Sequence, residues 1–181
     1  LVNLLEKEGC IIFAADKKDK PKEFSKNIFF RQGDLNFIKK HEIESYGCSI
    51  FFHLAATFER TLESFSFYEE NFKHNISLSN KLLKLFGESS SVRKIIFASS
   101  YLIYDKSIYL KNKSSTPIKL DENSSRDTRN LVGTAKYLHE KEIEFFNKFS
   151  KKTKFYNVRI FRGYGLGSRD IISRWVRLAL K

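Results

Sequence analysis

The chain has 181 residues, of which 41% are hydrophobic, 15% aromatic and 30% charged, with only 8 Gly, 2 Pro and 2 Cys. That is enough apolar material for one globular core, and it excludes a collagen-like repeat, a flexible linker and a disordered tail. The formal charge of +12 admits an anionic partner, while no apolar run reaches the about 18 residues that cross a bilayer as a helix.

Leu1 to Gly9 reads as the second half of an amphipathic helix, with Leu1, Leu4 and Leu5 on one face and Gly9 as its stop. No N-cap precedes it, and Met is absent throughout, so we read the sequence as a fragment. Glu6, Lys7 and Glu8 occupy the place of a signal peptide's apolar stretch. The run 10–15 ends at Asp16 and reads as a buried strand. A second strand over 27–32 ends at Gly33-Asp34, and 34–46 holds a short helix. A third strand covers 49–56. Residues 67–86 read as a long helix with Phe72, Ile76, Leu82, Leu83 and Phe86 toward the core. A fourth strand covers 94–100.

Residues 101–130 show no period and read as a long loop, of the kind that is usually functional or mobile. Leu138, Phe145 and Phe149 mark a helix over 131–150, a fifth strand follows at 155–161, and a helix begins at Ile171. Cys10 and Cys48 show no Cys-x-x-Cys spacing and read as buried free thiols in a reducing, cytoplasmic setting. Strands alternating with helices imply parallel β-α units, hence a single α/β domain. The lysines are scattered, which fits a solvated surface. A field that helps an anion bind is the alternative, and a nucleic-acid module would need a clustered basic face.

In an open parallel sheet, ligands bind beyond the carboxyl ends of the strands. The residues there are Asp16, Gly33-Asp34-Leu35, His53-Leu54-Ala55-Ala56, Ser99-Ser100 and Phe161-Arg162-Gly163. Asp16 is placed either to cap a turn or to accept from ribose hydroxyls, repelling a 2′-phosphate; Lys17 and Lys18 keep the phosphorylated alternative open. Ser100 is either a strand-end hydroxyl bonding backbone or a catalytic one. Lys136 alone reads as a solvated helix lysine. His53 reads as a core histidine, and no histidine has zinc-ligand spacing with the cysteines. Of Arg159 and Arg162, one is expected to pair with a carboxylate and the other to meet phosphate.

Taken together, Asp16, Gly33-Asp34-Leu35, His53-Leu54-Ala55-Ala56, Asn75, Ser99-Ser100-Tyr101-Leu102-Ile103-Tyr104, Val132-Gly133-Thr134-Ala135-Lys136 and Arg159 to Gly165 resemble the extended short-chain dehydrogenase/reductase family, in particular its NAD-dependent nucleotide-sugar epimerases and dehydratases. The resemblance spans nearly the whole chain. It implies a Rossmann-like doubly wound parallel sheet and NAD as cofactor. By it, Asp16 and Lys17 hold the adenine ribose, Asp34 and Leu35 border the adenine, and Leu54, Ala55 and Ala56 pass close to the cofactor. Asn75 matches a helix asparagine of the family. Ser100 matches the catalytic Ser/Thr, and Lys136 matches the Lys that binds the nicotinamide ribose and lowers a Tyr pKa. Phe161 lines the nicotinamide pocket, and Tyr101 and Arg162 face a nucleotide-sugar substrate. The resemblance further implies a homodimer through helices 67–86 and 131–150, with no nucleic acid and no membrane involved.

The chain departs from that family in three places. The glycine-rich Gly-x-x-Gly-x-x-Gly turn is absent, and with it the first strand, which lies mid-sheet in the order 3-2-1-4-5-6. We therefore expect no micromolar NAD binding by these 181 residues. Val132 stands where the family has its catalytic Tyr, four residues before Lys136; Tyr101 and Tyr104 are the nearest stand-ins. Only the start of a substrate domain, about 164–181, follows the partial NAD-binding domain.

Overall fold

The structure, a computed structural model, describes residues 1–58, 63–110, 117–161, 163 and 171–180. The elements run α1 (Val2–Lys7), β1 (Phe13–Asp16), β2 (Phe29–Gln32), a 3-10 turn (Leu35–Phe37), α2 (Lys40–Ser45), β3 (Ile50–His53), α3 (Phe65–Asn71), a π-helical turn (Phe72–Ser77), α4 (Leu78–Gly87), β4 (Lys94–Ser100), a second 3-10 turn (Tyr101–Ile103), α5 (Ser107–Leu110), α6 (Leu131–Phe149), β5 (Lys154–Ile160) and α7 (Ile171–Ala179).

Every strand pairing is parallel, but the strands form two sheets. β1 pairs with β2, and β3, β4 and β5 pair in that order. Both sets of neighbours are ones that the expected order 3-2-1-4-5-6 contains. Among the described residues nothing pairs with the second edge of β1 or of β3.

The core lies on one face of the three-stranded sheet. Pleat alternation sends Phe51, Ile95, Phe97 and Phe155 to that face, where Leu82, Leu83 and Phe86 of α4 and Ile143 of α6 meet them. Phe51 and Phe86 stack at 3.6 Å. The opposite face leaves Ile50, Tyr156, Val158 and Ile160 exposed. β4, flanked by a strand on each side, is buried from Ile95 onward apart from a half-buried Ile96, which is why its sequence reads as an unbroken apolar run.

Three expectations are corrected, on the two thiols, on Phe72 and on the segment 101–130. Cys10 is exposed and Cys48 half-buried, because β1 begins only at Phe13 and β3 at Ile50, leaving both thiols in connecting segments. Phe72 is exposed rather than in the core: the inward face set by Phe67 in α3 continues through Asn71 and Asn75 at four-residue spacing, which turns Phe72 outward. The helix expected over 131–150 is α6; the residues that mark it, Leu138, Phe145 and Phe149, lie on its exposed face, and its buried face is Val132, Ala135, Lys136, His139, Glu140 and Ile143. The α1 leucines Leu1 and Leu4 are also exposed. The segment 101–130 carries a 3-10 turn and α5 where an unbroken loop was expected.

Candidate active site

The parallel pairings put the carboxyl ends of neighbouring strands side by side. At the end of β1 the Asp16 carbonyl accepts from Gly33 N at 2.8 Å, and its side chain caps a turn by accepting from Lys18 N at 2.9 Å. Asp34 caps the first 3-10 turn, accepting from Asn36 N and Asn36 Nδ2 at 2.9 and 3.0 Å. The Asn36 amide and the nearby Lys17 ammonium hold its carboxyl below the usual range. Lys17 Nζ lies 3.4 Å from Asp34 Oδ2 and 3.4 Å from the His74 ring nitrogens, so β1, β2 and the π turn meet in one exposed cluster. Partial burial and the Lys17 charge push the His74 pKa down.

Beyond β3, Leu54 and Ala56 are exposed, while Ala55 packs on the core, as does Leu35 beyond β2. Asn75 is buried and pins the segment after β3. Its Oδ1 accepts from Thr57 N at 2.8 Å, its Nδ2 donates to Thr57 O at 3.0 Å, and the same Nδ2 donates to Asn71 Oδ1 at 2.7 Å. A π turn of this kind often marks a functional position.

Ser100 ends β4, and its Oγ accepts from Leu102 N at 3.2 Å, capping the second 3-10 turn. Tyr101 stacks on Phe161 with ring centroids 6.1 Å apart, and Tyr104 lies 5.9 Å from the same ring. The α6 N-terminus packs against this turn: a Cβ on Gly133 would fall 2.6 Å from Leu102 O, so only glycine fits there. Val132 is buried against Phe67 and Leu102. Among the described residues no hydrogen bond joins Ser100 to Lys136. Arg162 lies outside the described residues.

Lys136 is buried, so the solvated-helix reading is overturned. Its Nζ sits 4.6 Å above the Phe97 ring, three residues before Ser100, and burial pushes its pKa down to about 8. The edges of the same ring meet His53 and His139, each 5.4 Å away. His53 is a core histidine as expected: Nε2 bonds Ser79 Oγ at 2.9 Å, and Nδ1 is buried without a partner. Burial first, then the Lys136 and His139 charges, push its pKa down to about 3, so it stays neutral. His139 bonds the Asn75 carbonyl at 2.8 Å and Glu142 at 2.7 Å.

Arg159 takes the carboxylate predicted for one of the two strand-end arginines. Its Nη2 reaches Glu140 Oε2 at 2.8 Å and its Nε reaches Oε1 at 3.0 Å. Ser99 Oγ donates to the same carboxylate. Reading the sequence placed Ser99 at a strand end without foreseeing its partner, and it missed Glu140, His139, Asn71 and Ser79 as members of the site. For Glu140 the signal was its place four residues after Lys136, which puts both on one face of α6.

A model of the NAD dependent epimerase/dehydratase family matches residues 1–181. The chain belongs to that family. Among solved structures, MoeE5 in complex with UDP-glucose and NAD matches at 22% identity and a TM-score of 0.77, over 97% of this chain and 55% of that one. TunA, an NAD-dependent NDP-hexosamine 5,6-dehydratase of tunicamycin biosynthesis, matches at 17% identity and a TM-score of 0.79, over 99% of this chain and 56% of its own. UDP-glucuronic acid 4-epimerase from Bacillus cereus with NAD matches at 19% identity and a TM-score of 0.68, over 87% of this chain and 47% of its own. These likenesses show the α/β Rossmann-like fold, and the chain spans about half the length of the structures it matches. Among curated proteins none matches.

The epimerase/dehydratase family is NAD-dependent, and the residues present fit part of that cofactor. Asp16 and Asp34 offer carboxylates at adjacent strand ends, where an adenosine half would be held. Among the described residues no carboxylate pairs with the buried Lys136 ammonium, so its charge is available to a ribose hydroxyl. The 181 residues contain no glycine-rich turn to cradle the diphosphate. No helix of the described residues is long and apolar enough to cross a membrane.

Proposed function

We propose that this chain is the core of an NAD-dependent nucleotide-sugar epimerase or dehydratase, in which a sugar hydroxyl is oxidised by transient hydride transfer. What carries the reading is the set of strand ends: Asp16 and Asp34 at β1 and β2, Ser100 at β4, and the buried Lys136 on the helix packed behind β4. When bound, NAD supplies the hydride acceptor. The chain's own residues do the rest. Asp16 and Asp34 hold the adenosine end, Ser100 Oγ turns from Leu102 N to donate to the sugar oxygen, and Lys136 donates to the nicotinamide ribose. Phe161, half exposed beside Tyr101, would wall the nicotinamide side. A nucleotide-sugar partner, a homodimer through α3–α4 and α6, and a cytoplasmic setting belong to the same reading. The exposed Tyr68, Phe72 and Phe145 on those helices and the two free cysteines support the last two.

Val132 favours a second reading, a cofactor-binding protein of the same family without turnover. The side chain has no proton to exchange, and its space is filled by Phe67 and Leu102. Tyr104 does not replace the missing hydroxyl, because its own donates to Asp121 O at 3.0 Å and accepts from Arg159 at 3.1 Å.

Amide chemical shifts followed during titration with NAD test both. The chain should bind far more weakly than micromolar, with shifts confined to residues near Asp16, Asp34, Ala55 and Ser100; scattered shifts would sink the assignment. Val132→Tyr then separates the readings. Turnover of UDP-glucose above the parent chain supports the enzyme, and cofactor shifts without any turnover support the silent binder.

A further inference from the structure

We propose that Glu140 is a positioning residue that sets the strand end carrying Ser100, acting through Ser99 and Arg159. This rests on the reading of Ser100 as the substrate-facing hydroxyl. Ser99 and Arg159 are register partners across β4 and β5, so both point to the α6 face, where the buried Glu140 carboxylate receives them. Arg159 then reaches outward. Its Nη1 donates to the Tyr104 hydroxyl at 3.1 Å and to the Glu122 carbonyl at 3.1 Å, and its guanidinium lies 5.1 Å over the Tyr104 ring. The Tyr104 hydroxyl in turn donates to the Asp121 carbonyl. One carboxylate thus ties both ends of the stretch Ser99–Tyr104, and Ser100 sits inside it.

The same chain of bonds reaches the start of α6. Asp105 N donates to Ser125 O, Arg129 N donates to Leu102 O, and Asn130 caps the helix through Gly133 N. The clamp therefore fixes the Ser100 turn, the 121–130 segment and the helix N-terminus as one unit. The Arg159 guanidinium is held charged more firmly than usual by the Glu140 bonds, so it acts as a fixed cation. A buried ion pair is often replaceable by apolar groups without loss of stability. What this pair contributes is the geometry it imposes on the Ser100 turn.

Amide hydrogen exchange of the full chain, without cofactor or sugar, tests the clamp separately from the function. Glu140→Gln should cost about tenfold in protection at the Leu102 and Arg129 amides, while Ile95 deep in the sheet changes less. The double substitution Glu140→Leu with Arg159→Met should recover thermal stability and still leave those two amides unprotected. If the double variant restores their protection along with stability, the pair is packing alone and the proposal falls. Tyr104→Phe alters no charge and leaves Glu140 intact, and it should loosen 121–125; unchanged protection there would also overturn the clamp. Neither result bears on NAD binding, so a failed clamp and a failed functional reading are distinguishable.

Discussion

Two clusters of lysine, histidine and carboxylate lie in this molecule, and they differ mainly in their access to water. Lys17, His74 and Asp34 meet at the exposed ends of β1 and β2. Lys136, His53, His139 and Glu140 meet under β3 and β4, each less than a tenth exposed. The residue types are nearly the same. In the exposed set Lys17 and Asp34 pair loosely at 3.4 Å. In the buried set the carboxylate is given to Arg159, and Lys136 is left with an aromatic face. Such an arrangement costs stability, because a charge without a counter-ion is disfavoured away from water. Proteins accept that cost where a perturbed group has work to do.

The largest break of this comparison comes from acid. His53 takes up a proton near pH 6.5 when unfolded but only near pH 3 when folded. The unfolded state therefore binds more protons as pH falls, and stability drops between pH 6.5 and 3, by up to about 5 kcal/mol at the low end. Carboxylates add their own losses, so the signature is a difference. In urea unfolding across pH 7 to 3.5, His53→Gln should flatten the curve relative to the parent. Parallel curves would mean that His53 is not the buried neutral group described.

Alkali probes the same cluster from the other side. Lys136 loses its proton near pH 8 when folded and near 10.5 when unfolded. Over that window the unfolded state holds the extra proton, so stability should rise as pH rises from 8 to 10.5. Lys136→Met should abolish that rise and stabilise the chain at pH 7 by about 1–3 kcal/mol, the lost cation–π contact offsetting part of the gain. A destabilised Met variant would show that the ammonium has a partner that outweighs its desolvation.

The contrast also explains what could be read from residues alone. Strand ends were legible: apolar runs stop at Asp16, at Gln32 before Gly33-Asp34, and at Ser100. Helix faces were legible only in part: Leu82, Leu83 and Phe86 of α4 are buried as expected, while the inward face of α6 was not foreseen. On α6 the helically spaced Leu138, Phe145 and Phe149 point to solvent, while the inward face carries Lys, His and Glu. Hydropathy assigns such residues to water, but Glu140 is drawn inside by its bonds to Ser99 and Arg159, His139 by its bond to Asn75, and Lys136 lies over the Phe97 ring. Through α3 and the π turn the inward series is Phe67, Asn71 and Asn75, so Phe72 faces out; hydropathy favours the phenylalanine, and the Asn75 bonds to Thr57 hold the amide inside.

The smallest effect is expected at the exposed cluster, and it makes the comparison quantitative. Lys17 is about half exposed and its partners lie at 3.4 Å, so water and salt screen the pair. Lys17→Ala should change stability by less than about 1 kcal/mol, and the difference should vanish in 1 M salt. Asp34→Asn should do little more, because Asn can still accept from the Asn36 amide that caps the 3-10 turn. The pH record should separate the two clusters further. Asp34 is held ionised below its usual range, so its contribution is present at neutral pH and disappears only as pH falls through that lowered value. A Lys17→Ala loss of several kcal/mol, insensitive to salt, would mean that the β1–β2 end is as dry as the α6 face, and the distinction between a tuned interior and a solvated rim would fail.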